Sequence, residues 1–212
     1  MFDELLAMPG VQEVCTLRSR FGFMAFHGGS LEAVTDVIAD RAAEASGASY
    51  YGVLQPPEMR WHLPSTAFDP ELSPALAEFL DHVDVVVTVH GYGRVGLWTS
   101  LLIGGGNREL AGHVGRHVGD ALPHYRMVTD LDAIPGGLRG LHPDNPVNRP
   151  RCGGVQVELP PRVRGQAPVS PPPGADGLAP DTRALIAGLA ACADLSRFRD
   201  EPWLGHNARR ES

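Results

Sequence analysis

Two near-continuous apolar runs, FGFMAF at residues 21–26 and VVVTV at residues 85–89, each end on a histidine followed at once by glycine: His27 with Gly28, and His90 with Gly91. Strands that lack polar alternation are buried on both faces, the condition of central strands in a mostly parallel sheet covered by helices. Parallel strands bring their carboxyl ends to one sheet edge, so the two histidines are expected side by side there, where open α/β sheets place their ligand sites.

The rest of the pattern agrees. Strands are expected at 14–17, 50–54, 97–103, 124–129 and 154–159, alternating with helices at 31–46, 74–82, 107–122 and 181–194. Ser73 before Pro74 is a strong helix start, and Asp181 is expected to cap the last helix. In the first long helix Thr35, Asp36 and Asp40 fall on the expected wet side. The fold class is therefore three-layer α/β/α with a mostly parallel, mixed central sheet. Residues 1–165 form the main domain, and 166–180, with three consecutive prolines at 171–173, read as a linker or extended loop. Residues 181–212 form a closing helix and a tail packed on the same domain, frayed beyond Trp203.

Composition excludes several classes. The chain has 212 residues and a formal charge of -7, which argues against a nucleic-acid binder. All 18 of its cationic side chains are arginines, so each charged contact to an anion is a guanidinium contact. Cys15, Cys152 and Cys192 include no CxxC pair, which disfavours a disulfide scaffold or a zinc knuckle. The acidic start MFDELLAMPG lacks a signal sequence, and no stretch approaches the ~20 apolar residues of a membrane span. The expectation is a monomer, cytoplasmic as synthesised and released by lysis if phage-encoded, with neither membrane nor nucleic acid as partner.

The candidate site follows from the strand ends. Glu32 lies five residues past His27, at the mouth of a helix. Two imidazoles, one carboxylate and an open position for water form the ligand set of a catalytic zinc, giving His27, Glu32 and His90 around one ion per chain. The plainer reading is a hydrogen-bonded histidine near a turn and a glutamate stabilising a helix start. Glu158, near the end of the GVQVEL run, supplies a general base, unless strand alternation leaves it exposed. His113 and His117 are four residues apart, but Val114 stands where HExxH requires glutamate, so a pair of helix-surface histidines is the better reading. The glycines at 104–106 read as a turn, and nothing at fixed spacing makes Cys152 a nucleophile.

Taken together, HGGSLE, VHGYGR, GGGNREL and NRPRCGGVQVELPPRVR, in that order over residues 21–164, resemble the poly-gamma-glutamate hydrolase family, whose best-known members are phage enzymes with a zinc-carboxypeptidase-like core. The resemblance implies zinc on His27, Glu32 and His90, and Glu158 as catalytic base. Val157 stands where leucine is common, and the Pro-rich segment after Arg164 departs from the pattern. Arg94, four residues past His90, is the first choice for holding an oxyanion or substrate carboxylate. Asn148 and Arg149 form a second candidate carboxylate clamp by analogy with the carboxypeptidase core.

The expected function is a zinc-dependent amidohydrolase that cleaves γ-glutamyl bonds in an acidic polymer or peptide. The rivals are a zinc carboxypeptidase or amidase on small acidic or cell-wall peptides, and a non-catalytic metal-dependent binding module.

Overall fold

A computed structural model describes residues 1–166 and 170–194. The expected fraying beyond Trp203 lies outside the described residues. In chain order the elements are α1 (Phe2–Leu6), β1 (Gln12–Thr16), β2 (Phe21–Gly29), α2 (Thr35–Ser46), β3 (Ser49–Gln55), α3 (Pro74–His82), β4 (Val85–Gly91), β5 (Ser100–Ile103), α4 (Arg108–Ala121), β6 (Arg126–Val128), β7 (Gly154–Leu159) and α5 (Pro180–Cys192), with short 3-10 turns between them.

The seven strands form one sheet in the order β1-β3-β2-β4-β7-β5-β6. β3, β2, β4 and β7 run parallel, and β1 and β5 join them antiparallel, so the sheet is mixed as expected. Alternation along the central strands divides the core into two layers. Phe21, Phe23, Val85, Val87, Val89, Val155 and Val157 pack on one face with Ile38 of α2, Val114 of α4 and Leu185 of α5. Met24, Phe26 and Val86 pack on the other with Phe2 of α1 and Leu76 and Phe79 of α3. Burying a large side chain of this kind contributes about 1.5–3 kcal/mol, so both faces of the central strands are committed to helix packing.

Local signals set several boundaries. Ser73 caps α3 by accepting from the Leu76 N–H at 2.9 Å, and Asn107 caps α4 by accepting from the Leu110 N–H at 2.9 Å. α2 begins at Thr35, later than expected, because residues 31–34 form a turn ending on Val34 at φ 77°. Thr35 and Asp36, expected on the wet side, are buried, Asp36 against Gly28 of β2. Asp181 does not cap α5. Its carboxylate accepts from the Tyr125 hydroxyl at 2.7 Å, and no side chain caps that helix. His113 and His117 pack ring to ring, but His113, expected at the helix surface, is buried, and its Nε2 lies 3.0 Å from the Cys192 carbonyl, stitching α4 to α5.

Candidate active site

The register of β4 with β7 pairs His90 directly with Glu158, which puts both side chains on the same face of the sheet. His27 reaches them by an irregularity. Met24 pairs with Thr88, so plain alternation would give Phe26, not His27, the face of His90. Between Ala25 and Gly28 the pairing of β2 with β3 shifts by one residue, a bulge that re-aims His27. Its ring centroid then lies 5.1 Å from that of His90. Both following glycines are required by space: a Cβ on Gly28 would sit 2.7 Å from the Asp36 Cβ, and one on Gly29, at φ 69°, 2.2 Å from the Gln55 carbonyl.

Glu32 joins the two histidines. Its Oε1 lies 2.7 Å from His27 Nδ1 and its Oε2 3.4 Å from His90 Nδ1, while Oε2 also accepts from the Gly91 N–H at 2.7 Å. His27 Nε2 lies 2.8 Å from the Leu63 carbonyl, which can only accept, so that nitrogen carries the proton. A neutral His27 therefore turns a lone pair at Nδ1 toward a carboxylate oxygen at hydrogen-bond distance. Two acceptors hold that position only with a shared proton or a cation between them. A divalent metal is such a cation, and a carbonyl fixing the outer ring nitrogen is the usual support of a histidine ligand. The donor set fits the metal.

The electrostatics follow the same geometry. Burial pushes the Glu32 carboxyl up, but attraction to His90 and the close approach of the His27 and His90 rings outweigh it and hold Glu32 well below the carboxylate range. Burial likewise opposes charge on His90, and Glu32 with Glu158 overrides it, so His90 is raised. Glu158 is 3% exposed, and burial pushes it up to about 7 against the pull of His90. Its Oε1 accepts from Gln156 Nε2 at 2.9 Å, and Gln156 Oε1 accepts in turn from Asn145 Nδ2 at 2.9 Å, so a chain of amides orients the carboxylate.

These groups line a cleft of about 380 Å³ walled by His62, Ser65, Thr66 and the segment from Gly136 to His142. His62 escaped sequence reasoning because a lone histidine in an irregular loop carries no periodic signal. Gln55 positions it by bonding the Trp61 backbone twice, at 2.7 and 2.9 Å. Donor atoms of His27, Glu32 and His62 lie within 4.8 Å of one another, a triplet that includes His62 where His90 was expected. Gln156 and Asn145 also went unremarked, although Gln156 stands two residues before Glu158 and so shares its face of the strand.

The expected substrate residues do not line the cleft. Arg94 is exposed between β4 and β5 and does not line the cleft. Asn148 is occupied as a loop staple: Oδ1 accepts from the Gly106 N–H at 2.9 Å, and Nδ2 donates to the Gly140 and His142 carbonyls at 2.8 and 3.0 Å. Arg149 stands 3.7 Å from Asp144 and faces Pro70 and Asp81. Among the described residues no arginine lines this cleft.

A mixed α/β sheet with a His/Glu/His cluster at the carboxyl ends of its central strands places the chain in the carboxypeptidase-like fold class. Residues 4–167 match the family model of poly-gamma-glutamate hydrolase, and the chain belongs to that family. The structure is similar to that of a bacteriophage poly-gamma-glutamate hydrolase, with a TM-score of 0.72 and 20% identity over 92% of this chain and 94% of that one. It is also similar to YNDL in a zinc-free form, with a TM-score of 0.58 and 21% identity over 70% of each chain. A Burkholderia mallei protein named as a carboxypeptidase gives a TM-score of 0.52 at 10% identity, covering 92% of this chain and 65% of that one. No curated protein matches the chain in sequence. Among the described residues no helix is long and apolar enough to cross a membrane.

Proposed function

We propose that the chain is a zinc-dependent amidohydrolase that cleaves γ-glutamyl amide bonds in poly-gamma-glutamate or a related acidic polymer. One observation carries this reading. The Nδ1 atoms of two buried histidines face the two oxygens of one carboxylate, and a second buried carboxylate, Glu158, stands on the neighbouring strand. Family membership supports the substrate class.

His27, Glu32 and His90 would hold the metal. His90 is preferred to His62 because it is buried in the sheet and paired in register with the base, whereas His62 is exposed on the rim. A bound zinc supplies a Lewis acid that polarises an amide carbonyl and lowers the pKa of water to ~7. Glu158 accepts the proton from the attacking water and delivers it to the leaving amine. Its raised pKa suits both halves of that task, because a base near neutrality gives the proton back readily. Gln156, held by Asn145, keeps one oxygen of Glu158 engaged, which fixes the other for the proton. His62 and His142 on the rim are the ring N–H donors available to substrate carboxylates, the role expected of Arg94 and Arg149.

The test is zinc content measured together with release of new amino groups from poly-gamma-glutamate. Stoichiometric zinc and zinc-dependent release support the reading. A zinc-loaded chain that releases amines only from short acidic peptides would assign it to small-peptide amidases.

A further inference from the structure

Arg164 follows β7 in a tight turn and is 6% exposed. Its guanidinium donates to backbone carbonyls: Nε to Leu159 at 3.2 Å, Nη1 to Ala33 at 3.1 Å and Nη2 to Tyr92 at 3.5 Å. Leu159 follows Glu158, Ala33 follows Glu32, and Tyr92 is two residues past His90. One planar fork thus spans the three segments that carry the base and two of the three proposed ligands.

Two further features converge on it. A Cβ on Gly91 would sit 2.7 Å from the guanidinium carbon, so the glycine after His90 makes the room that Arg164 fills. The peptide whose carbonyl Arg164 holds at Ala33 leads into Val34, a β-branched residue at φ 77°. That conformation is unfavourable for a side chain of this shape and persists only where its surroundings over-determine it. The bond from Arg164 fixes the orientation of that peptide, one residue past Glu32.

We propose that Arg164 is a positioning residue that sets the mutual spacing of Glu32, His90 and Glu158 by clamping the backbone just beyond each. This rests on the reading that those residues form the metal centre and its base. The geometry requires the fork and not the charge alone: an ammonium is a point donor on a flexible stem and cannot span three carbonyls in one plane.

The test compares Arg164→Lys, Arg164→Met and Gly91→Ala with the unaltered chain, reading zinc affinity by chelator competition and kcat and KM on poly-gamma-glutamate, on protein shown to be folded by near-UV circular dichroism. Each variant is expected to bind zinc about 10–100-fold more weakly, the usual cost of losing an outer support of a metal site. kcat should fall while KM moves little, and Arg164→Lys should stay close to Arg164→Met. Gly91→Ala keeps the guanidinium and displaces it, so it carries the test if the Arg164 variants fail to fold. Unchanged zinc affinity and kcat in a folded variant would overturn the proposal, as would full rescue by lysine. Failure of the unaltered chain to bind zinc would overturn the metal-centre reading itself, and the clamp with it. If the unaltered chain binds zinc but does not cleave the polymer, the affinity comparison alone decides the role of Arg164: weaker binding in the variants supports the clamp, and equal binding overturns it.

Discussion

At the level of single residues, the proposed function turns on which side chains would bind metal and which would move the proton. His27→Ala and His90→Ala are each expected to lose nearly all zinc by elemental analysis, whereas His62→Ala keeps it and weakens substrate binding. Stoichiometric zinc in His90→Ala together with its loss in His62→Ala would transfer the ligand role to the rim. Glu158→Gln keeps the shape and the proximity of Gln156 but removes the base, so it should retain zinc and lose at least the ~100-fold typical of general-base catalysis. The pH dependence has a definite sign. Burial raises the folded Glu158 carboxyl to about 7, above its ordinary value, so in the metal-free chain its contribution to stability is present at low pH and is lost as pH rises toward 7. The Glu158→Gln variant should lack that loss in denaturant unfolding measured across the same window. The base works only when ionised, and a cation beside it lowers its pKa. The rising limb of the activity profile therefore belongs at or below about pH 7 and should vanish in Glu158→Gln.

Among the elements, the site depends on a defect in one strand. The bulge in β2 turns His27 toward His90, and Gly29 allows the chain to pass against the Gln55 carbonyl at positive φ. Gly29→Ala is expected to destabilise the fold by on the order of 1–3 kcal/mol, read as a lower urea midpoint, because it combines a strained backbone with a clash against main chain. An unchanged midpoint would remove the bulge from the explanation. The central strands were legible in the sequence because apolar runs such as VVVTV report burial on both faces, and Ser73-Pro74 marked a helix start that the structure reproduces at Pro74. His27, Glu32, His90 and Glu158 were legible because each sits at a strand end or the turn after one, and the structure gathers all four in one cleft. His62 was not, since it is placed by the side chain of Gln55, a bond with no periodicity behind it. The expected role of Arg94 relied on nearness in sequence and those of Asn148 and Arg149 on analogy; the two arginines do not line the cleft, and Asn148 is spent on the Gly140 and His142 carbonyls of its wall.

For the molecule as a whole, net charge and the proposed metal are expected to act on the entire chain. A protein of net charge -7 repels a polyanion at long range, and screening by salt shortens that repulsion to about 8 Å at physiological ionic strength. kcat/KM on poly-gamma-glutamate should therefore rise with moderate salt before rim contacts weaken. A monotonic fall from the lowest salt would mean that local attraction dominates from the start. Zinc that binds only the folded state should stabilise it by about 2.7 kcal/mol at a free concentration of 100 times Kd, read as a concentration-dependent Tm. The most direct measurement takes the chain stripped by chelator, titrates zinc back, and follows amine release from poly-gamma-glutamate against bound metal. A zinc hydrolase of this design gives no release without zinc and activity rising in proportion to occupancy, up to one ion per chain. Full activity in the stripped chain, or a fully loaded chain that releases no amines, would contradict it.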